Sequence, residues 1–357
     1  MSLNCQVKKH TLNFKFDAGT SRGVLKTHTV HYILLAADKE YSTFGIGECA
    51  PLKGLSIDDR PGLEEKLEEV CTQISKKDTI DACEEIFSGL HEWPSIRFAL
   101  ETALLDLKQG GTRQLFKSDF TSGSQGIPIN GLIWMGDFNF MEKQLWEKLE
   151  QGFRCIKIKV GAIDFDKECK LLEKIRKTFS PEQIEIRLDA NGAFTEADAE
   201  HKLKELAGFT IHSIEQPVKA GQPELMRYLC SLNLIPVALD EELIGAYTTE
   251  ASKLQLLQNI QPQYIILKPT LVGGFQHCRE WIMAADTTGA GWWLTSALES
   301  NVGLNAIAQF TYTLNSPMPQ GLGTGKLYHN NIESPLVIQS GSLYYDPAQN
   351  WNFNPLL

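Results

Sequence analysis

The sequence of 357 residues lacks the features of a membrane or nucleic-acid-binding protein. No apolar run approaches the roughly 20 residues that a membrane-spanning helix needs. The chain opens Met1-Ser2-Leu3-Asn4-Cys5 and turns polar at once, so we expect no secretory signal peptide. With a net charge of −10 and a pI near 5.4, it offers no overall basic surface for nucleic acid or an anionic membrane. A local basic pocket for an acidic small molecule remains compatible with these numbers.

Paired cysteines and nucleotide-binding motifs are also missing. The 8 cysteines form no CxxC pair and no dense framework, so we expect reduced thiols in a cytoplasm rather than disulfides or a zinc site. No GxGxxG follows a predicted strand, and there is no P-loop. The glycine-rich residues 321–325 follow a polar loop and precede no obvious helix, so we interpret them as a turn.

Residues 1–125 have the pattern of an α+β domain, with strands first and helices after them. Period-two alternation predicts strands at 7–16, 24–36 and 43–49, joined by loops at 17–23 and 50–56. Helical spacing begins near residue 63, and Pro94 opens a more apolar helix over 94–107.

From residue 126 to residue 320, predicted strands and helices alternate regularly. This alternation is typical of a (β/α) barrel, and an open doubly wound sheet is the alternative. Residues 321–357 return to short alternating strands. The predicted strands are 127–133, 155–160, 184–188, 211–214, 236–239, 264–267 and 291–294, and the predicted helices are 140–151, 165–178, 196–206, 224–232, 248–257 and 275–287.

Two lysines share one face of the second barrel strand. In residues 156–160, β-branched residues alternate with Lys157 and Lys159, so both lysines project to the same side. Taken alone, this pattern is typical of a solvated strand face, because unpaired lysines are seldom buried. The strands that follow change this interpretation.

Acidic residues stand at the ends of the next three strands, and a lysine at the end of the sixth. Asp189, Glu215, Asp240 and Lys268 follow successive strands, whose carboxyl ends converge on one face of a barrel. Each acidic residue could cap a helix, but Glu is a poor N-cap and Gln216-Pro217 does not resemble a helix start. Three adjacent carboxylates repel one another unless a cation lies between them, and oxygen ligands favour Mg²⁺ or Mn²⁺.

These residues predict a metal-assisted proton transfer. Burial and a nearby metal charge lower the pKa of a lysine, which can then act as a general base near neutral pH. A metal next to a substrate carboxylate stabilises the enediolate that forms when the α-proton leaves. Racemisation, elimination or cycloisomerisation could follow this step.

The residue set resembles the enolase superfamily, in which a lysine or histidine base acts beside Mg²⁺. Lys-x-Lys, three acidic strand ends and a lysine on strand six resemble its muconate-lactonising branch in particular. Residues 47–52 are similar to the capping-domain loop of that branch. The resemblance implies a modified TIM-type (β/α)7β barrel over 126–320 with an α+β capping domain built from 1–125 and from the tail, 321–357.

Within the branch, residues 296–303 and 321–325 resemble the o-succinylbenzoate synthases. This implies a Mg²⁺-dependent dehydratase that eliminates water in syn geometry from 2-succinyl-6-hydroxy-2,4-cyclohexadiene-1-carboxylate in menaquinone biosynthesis. N-succinylamino acid racemases and dipeptide epimerases use the same lysines and remain alternatives. Dipeptide epimerases often carry Asp-x-Asp late in the barrel, and residues 295–300 lack it. A catalytically silent barrel is a third possibility.

The resemblance assigns roles to the lysines and carboxylates. Lys159 would remove the α-proton and return it to the departing hydroxide. Lys268 would act as a cation across the ring, or as a second acid/base in a racemase. Lys157 would keep Lys159 uncharged and contact the substrate carboxylate. The metal ligands would be Asp189, Glu215 and Asp240.

Further residues would shape the site around them. Gln216 and Glu241 would lie behind the ligands, and Asn191 would lie there and contact the substrate. Ser296 would lie at the succinyl carboxylate, and loops near 17–24 and 49–56 would close over the succinyl tail. Trp292 and Trp293 are expected to pack in or around the barrel. The sequence leaves the oligomeric state open.

Overall fold

The computed structural model describes residues 2–20, 23–161, 164–245 and 247–356. The chain begins with a three-stranded antiparallel sheet in the order β1-β2-β3. Two helices, α1 and α2, pack against this sheet, and a 3-10 helix at Asp81–Gly89 lies between them in the chain. The bounds are β1 Asn4–Thr20, β2 Gly23–Ala36, β3 Phe44–Cys49, α1 Leu63–Ile74 and α2 Pro94–Lys108.

The predicted loop over 17–23 is largely a continuation of the β1–β2 hairpin. Ala18 pairs with Leu25 and Gly19 pairs with Val24, after a shift of register between Asn13 and Ala18. This irregularity breaks the period-two alternation and explains why the sequence did not predict strand here. Residues 21 and 22, which belong to the predicted loop, lie outside the described residues.

The second part of the chain forms a parallel seven-stranded sheet in the order β11-β10-β9-β8-β7-β6-β5, as the barrel prediction requires. Its seven strands are β5 Gly131–Ile133, β6 Cys155–Lys159, β7 Glu185–Asp189, β8 Ser213–Glu215, β9 Val237–Leu239, β10 Tyr264–Leu267 and β11 Gly291–Leu294, and the short strand β4 Ile127–Pro128 precedes them in the chain. The helices are α3 Phe138–Glu150, α4 Phe165–Thr178, α5 Ala199–Ala207, α6 Pro223–Ser231, α7 Glu250–Ile260, α8 Pro269–Val272, α9 Gly274–Thr288 and α10 Asn301–Thr313.

The glycine-rich stretch closes the barrel before it turns. Gln320 bridges to Ile129 and Gly321 bridges to Thr295, both in parallel, so these two residues join the first and last strands of the sheet. A Cβ atom at residue 321 would lie 1.4 Å from Thr295 Oγ1, so only glycine allows this approach. The interpretation as a turn is therefore wrong for 321 and holds for 323–326.

The tail forms a hairpin, β12 Leu336–Gln339 and β13 Ser342–Tyr345, and β13 pairs with β4. A hydrophobic core beside the barrel combines residues from both chain ends: Leu12 and Tyr32 from the first sheet, Val302 from α10, and Tyr328 and Leu356 from the tail. The domain boundaries after residues 125 and 320 stay a prediction. Gln320 and Gly321, which close the barrel, lie on either side of the second boundary.

One cysteine pair departs from the expectation of reduced thiols. Cys5 on β1 and Cys71 on α1 form a disulfide, with Cα atoms 5.1 Å apart. The pairing arises because α1 packs on β1, a contact between residues 66 positions apart that cysteine spacing does not reveal. The other six cysteines are free.

Trp293 lies in the barrel interior and is 2% exposed. Its ring stacks against the Arg187 guanidinium at 4.3 Å and lies 5.5 Å from the ring of Tyr264, while Trp292 packs half-buried against the barrel core. Both tryptophans therefore have packing contacts, as expected. Across the described ranges, no helix is both long and apolar enough to cross a membrane.

Candidate active site

A cavity of about 600 Å³ lies between the N-terminal sheet and the carboxyl ends of the barrel strands. This volume suits a small organic substrate. The predicted site residues that line it are Lys157, Lys159, Asp189, Asn191, Lys268 and Ser296.

The two lysines of β6 meet the end of β7 on the floor of the cavity. Lys159 and Asp189 are register partners in the sheet, and Lys159 Nζ donates to Asp189 Oδ2 at 2.9 Å and to Asn191 Oδ1 at 2.6 Å. Lys157 Nζ lies 3.0 Å from the same Asp189 oxygen and pairs with Glu215 Oε2. Each lysine is 8% exposed, so the solvated-face interpretation is wrong for both.

Lys268 lies on the far side of the same carboxylates. It follows β10 and precedes the short helix α8, which Pro269 opens. Its ammonium pairs with Asp240 Oδ2 and lies 3.9 Å from Glu215 Oε1. Because β7, β8 and β9 lie between β6 and β10, Lys159 and Lys268 stand on opposite sides of the acidic residues.

The three predicted ligands are neighbours at successive strand ends. Asp189 and Glu215 are register partners, and Asp240 directly follows β9. None is more than 2% exposed. Among the described side chains, Glu215 Oε1 is buried without a hydrogen-bond partner. The cap interpretation does not apply to Asp240, whose side chain makes no capping bond to the 3-10 helix behind it.

The ion pairs set the charge states in this cluster. Burial lowers the pKa of Lys157, but the charges of Asp189 and Glu215 outweigh it and raise that pKa. Burial likewise lowers the pKa of Lys268, and the charge of Asp240 outweighs it and raises that pKa. The pKa values of these two lysines are therefore raised, because each ammonium touches a carboxylate. Burial and the nearby Asp189 raise the pKa of Glu215 to about 8.

The donor set suits a hard divalent cation. It consists of carboxylate oxygens only, from three adjacent strands, and one buried oxygen of Glu215 lacks a hydrogen-bond partner in the described structure. In the described chain these carboxylates do not form a ready-made ligand cluster, because Lys157 and Lys268 lie among them. A bound cation would therefore compete with two ammonium groups for the same oxygens.

Asn191, Gln216 and Glu241 lie behind the carboxylate cluster and hydrogen-bond to its members or to one another. Asn191 Nδ2 donates to Glu241 Oε1 at 3.1 Å, while its oxygen accepts from Lys159. Gln216 Oε1 accepts from the backbone N–H of Asp240 at 3.2 Å. Asn191 and Gln216 both have positive φ, 44° and 43°, so the backbone turns sharply behind the ligands.

Ser296 lies on the cavity wall that follows β11. Its hydroxyl is hydrogen-bonded to Thr324 Oγ1 at 2.6 Å. Leu298 lines the same wall with φ of 69°. Glu299 turns away from the cavity, is fully buried, and accepts from the Ala297 N–H at 2.7 Å and from the Thr270 hydroxyl. This wall thus presents hydroxyl and apolar groups but no free carboxylate.

Sequence reasoning missed several lining residues. Asn130 and Trp134 come from the first barrel strand and its end, where no charged residue drew attention. Thr324 lies in the glycine-rich stretch that was interpreted only as a turn. Lys53 also lines the cavity and lies in the predicted loop over 50–56. The resemblance gave this loop as a whole a role in covering the substrate, but gave none to its side chains. Position at a strand end was the signal that could have identified Trp134.

Residues 141–348 match the family of enolase C-terminal domain-like proteins. An o-succinylbenzoate synthase of Desulfotalea psychrophila is 45% identical over 94% of this chain and 97% of its own. The crystal structure of MenC from Desulfotalea psychrophila superposes with a TM-score of 0.85 at 40% identity, covering 96% of this chain and all of that one (100%). A hydrophobic dipeptide epimerase of Enterococcus faecalis is 28% identical over 60% of this chain and 59% of its own.

The matches cover both the barrel and the N-terminal sheet, and the identity to the synthase extends over almost the whole of each chain. The chain therefore belongs to the enolase superfamily and, within it, to the o-succinylbenzoate synthase family of carbon–oxygen lyases.

Proposed function

We propose that this enzyme dehydrates 2-succinyl-6-hydroxy-2,4-cyclohexadiene-1-carboxylate to o-succinylbenzoate in menaquinone biosynthesis. The observation that carries the proposal is the placement of Lys159 and Lys268 on opposite sides of three buried carboxylates. Abstraction of a proton next to a carboxylate needs this combination of a base, a facing cation and a way to stabilise new negative charge.

Lys159 acts as the base in this proposal. Its ammonium reaches the cavity floor and is held by Asp189 and Asn191, so the nitrogen has a fixed position towards the substrate. In its uncharged form it takes the α-proton, leaving an enediolate. The same nitrogen then gives the proton to the departing hydroxyl, which leaves as water from the same face. One residue serving both steps makes the elimination syn.

Lys268 and Lys157 remain cations. Contact with Asp240 raises the pKa of Lys268, so it stays protonated through the neutral range and attracts the negative charge that develops across the ring. Lys157, whose pKa is also raised, contacts the substrate carboxylate from the floor of the cavity. The two ammonium groups therefore hold and polarise the substrate while Lys159 moves the proton.

Asp189, Glu215 and Asp240 are the residues that would hold Mg²⁺, with Mn²⁺ as a substitute. Enzymes of this superfamily use Mg²⁺ beside the base. When bound, the ion supplies positive charge next to the substrate carboxylate. Asn191, Gln216 and Glu241 fix the ligand side chains and their backbone from behind, and Ser296 contributes a hydroxyl at the succinyl end of the cavity.

An ultraviolet assay tests the proposed function. Purified enzyme with Mg²⁺ and the cyclohexadiene substrate should remove the diene absorbance, and a chelator should stop the reaction until Mg²⁺ is restored. Loss of absorbance that continues at the same rate in excess chelator would contradict the metal assignment. No loss under any metal condition would contradict the dehydratase assignment.

Racemisation of N-succinylamino acids is the second candidate, because two lysines face the site from opposite sides and could exchange a proton on either face. Dipeptide epimerisation is less well supported, since Glu299 is buried and bonded to Thr270 and offers no free carboxylate to a dipeptide ammonium group. Exchange of the α-proton with deuterated water on N-succinylamino acids, without dehydratase turnover, would favour the racemase.

We further propose a cytoplasmic location. Six free cysteines support it, and the Cys5–Cys71 disulfide is the exception among the eight. A small-molecule carboxylate is the proposed partner, in keeping with the lysine-lined cavity.

A further inference from the structure

The positive charges around the cavity are of two kinds. On the floor, Lys157, Lys159 and Lys268 each touch a carboxylate. Lys53 lines the same cavity from the N-terminal domain and, within the described residues, forms no ion pair and no side-chain hydrogen bond. Its charge is therefore available to a ligand.

The turn that carries Lys53 is held rigidly by its own hydrogen bonds. The Ser56 hydroxyl accepts from the Leu52 N–H at 2.7 Å, and the Ser56 N–H donates to the Leu52 carbonyl at 3.0 Å. Directly after Lys53, the Gly54 N–H donates to Asp59 Oδ2 at 2.8 Å. The backbone of residues 52–56 is thus closed on itself on both sides of the lysine.

Both ends of this segment are anchored to buried carboxylates. Before it, Glu48 accepts from the Ser300 N–H and the Gly303 N–H, each at 2.7 Å, which ties the end of β3 to α10. After it, Asp58 accepts from the Ser95 N–H at 2.8 Å at the start of α2. Glu48 and Asp58 are both fully buried. The backbone from which Lys53 extends is therefore held in place, so that a ligand loses less affinity to the ordering of this loop when it binds.

Apolar side chains line the same cavity as Lys53 and the charged floor. Val24 and Leu25 come from β2, Leu52 precedes the lysine, and Leu298 faces them from the barrel wall. A cavity that has cations on two different elements and apolar side chains in its walls suits a ligand with two anionic groups and an apolar part.

We propose that Lys53 determines specificity by binding a second, distal carboxylate of the substrate. For the ligand that the proposed function implies, this is the carboxylate of the succinyl tail, so the identity of the ligand rests on that function. Ser296 brings a neutral hydroxyl to the cavity, whereas Lys53 brings charge. A substrate that carries only the reacting carboxylate would lose this contact.

The test combines a change in the enzyme with a matched change in the ligand. Lys53→Met removes the charge and keeps much of the length, Lys53→Arg keeps the charge, and Lys39→Met is a control at an exposed lysine in the turn after β2. The ligands are o-succinylbenzoate and 2-butanoylbenzoate, in which a methyl group replaces the distal carboxylate. Affinities are measured by calorimetry with Mg²⁺ present.

We expect Lys53→Met to weaken the binding of o-succinylbenzoate roughly two- to fivefold, as for a partly exposed ion pair, and to leave the binding of 2-butanoylbenzoate unchanged. Lys53→Arg and Lys39→Met should both bind as the wild type does. The difference in affinity for o-succinylbenzoate between the wild type and Lys53→Met should shrink at high salt, since screening weakens a partly exposed ion pair. A merely structural role would weaken both ligands equally.

Equal effects on the two ligands, or no effect on either, would overturn the inference. Turnover of the cyclohexadiene substrate by the wild type is measured separately and tests the proposed function alone. If that turnover is absent, the same comparison is made with N-succinyl- and N-butanoyl-phenylalanine. A selective loss for the succinyl compound supports the role of Lys53, and its absence refutes it.

Discussion

Lys159 and Asp189 are paired twice, once as backbone partners across β6 and β7 and once through their side chains at 2.9 Å. The sheet register itself therefore brings the proposed base to the first proposed metal ligand. A change of register by one residue would turn Lys159 to the other face of the strand. The position of the base is thus set by the barrel rather than by a flexible loop.

Replacing Lys159 with Ala should abolish turnover and leave the fold intact. We expect the rate to fall by about a thousandfold or more, because a positioned base contributes on this scale. Asp189 keeps Lys157 as a cationic partner, so its buried charge is not left alone. The ultraviolet assay measures turnover, and thermal denaturation shows whether the fold is intact. Retained turnover would remove Lys159 from the mechanism. A wild type without turnover, whose ligand affinity survives the substitution, would instead indicate a silent binding barrel.

Asp240→Asn should weaken Mg²⁺ binding. The substitution keeps the shape of the side chain but removes the charge, and we expect the affinity to fall by at least about tenfold. Calorimetric titration with Mg²⁺ measures this. Asp286→Asn is the matched control, because Asp286 is exposed on α9, away from the cavity. An Asp240 variant that binds Mg²⁺ as tightly as the control would refute its assignment as a ligand.

His28 on β2 should make the protein less stable in mild acid. It is 5% exposed, and burial lowers its pKa to about 4, an effect that Asp59 opposes in part. The stabilising effect of the neutral ring is therefore complete above the unfolded pKa of 6.5 and is lost as the pH falls towards 4.

The resulting change can be measured by urea unfolding. From about pH 7.5 to about pH 5, His28 should account for a loss of about 2 kcal/mol in the free energy of unfolding. His28→Gln should reduce the pH dependence by that amount. An unchanged pH dependence in the variant would show that His28 titrates normally in the folded protein.

The disulfide between Cys5 and Cys71 should be detectable by counting thiols. Air-oxidised, denatured protein should show six reactive thiols, and reduced protein should show eight. Closing a loop of this length stabilises a fold by about 2–4 kcal/mol, so reductant should lower the melting temperature of the oxidised wild type. Cys5→Ser should melt as the reduced protein does, and Cys169→Ser, which removes a free cysteine, serves as the control. Eight reactive thiols without reductant would contradict the pairing.

The sequence predicted the barrel correctly, and it brought the residues of the cavity floor together, because both inferences depend on local pattern. Lys157 and Lys159 were placed on one face by the period of the strand, and Asp189, Glu215 and Asp240 were placed together by the convergence of parallel strand ends. These inferences need only the residue type and its position in an element, and the sheet register brings the residues into contact.

What the sequence did not reveal depends on distant contacts. Helix α10 is buried on nearly every side, so it has no apolar stripe for periodicity to detect. Gln320 and Gly321 act as a strand only because the barrel has two edges for them to join. The raised pKa of Lys268 follows from its contact with Asp240, which no spacing rule predicts.

The shared core of the two chain ends has a consequence for synthesis on the ribosome. The backbone N–H of Asn13 donates to Asn330 Oδ1, a residue 317 positions later, and Leu12 and Leu356 lie in the same core. The strands that roof the cavity thus depend for their packing on residues that the ribosome adds more than 300 positions later. An unfinished or C-terminally truncated chain exposes the apolar face around Leu12 and leaves the cavity without a stable roof. We therefore expect catalysis to require residues 327–356, and damage to them should inactivate a site to which they contribute no catalytic group.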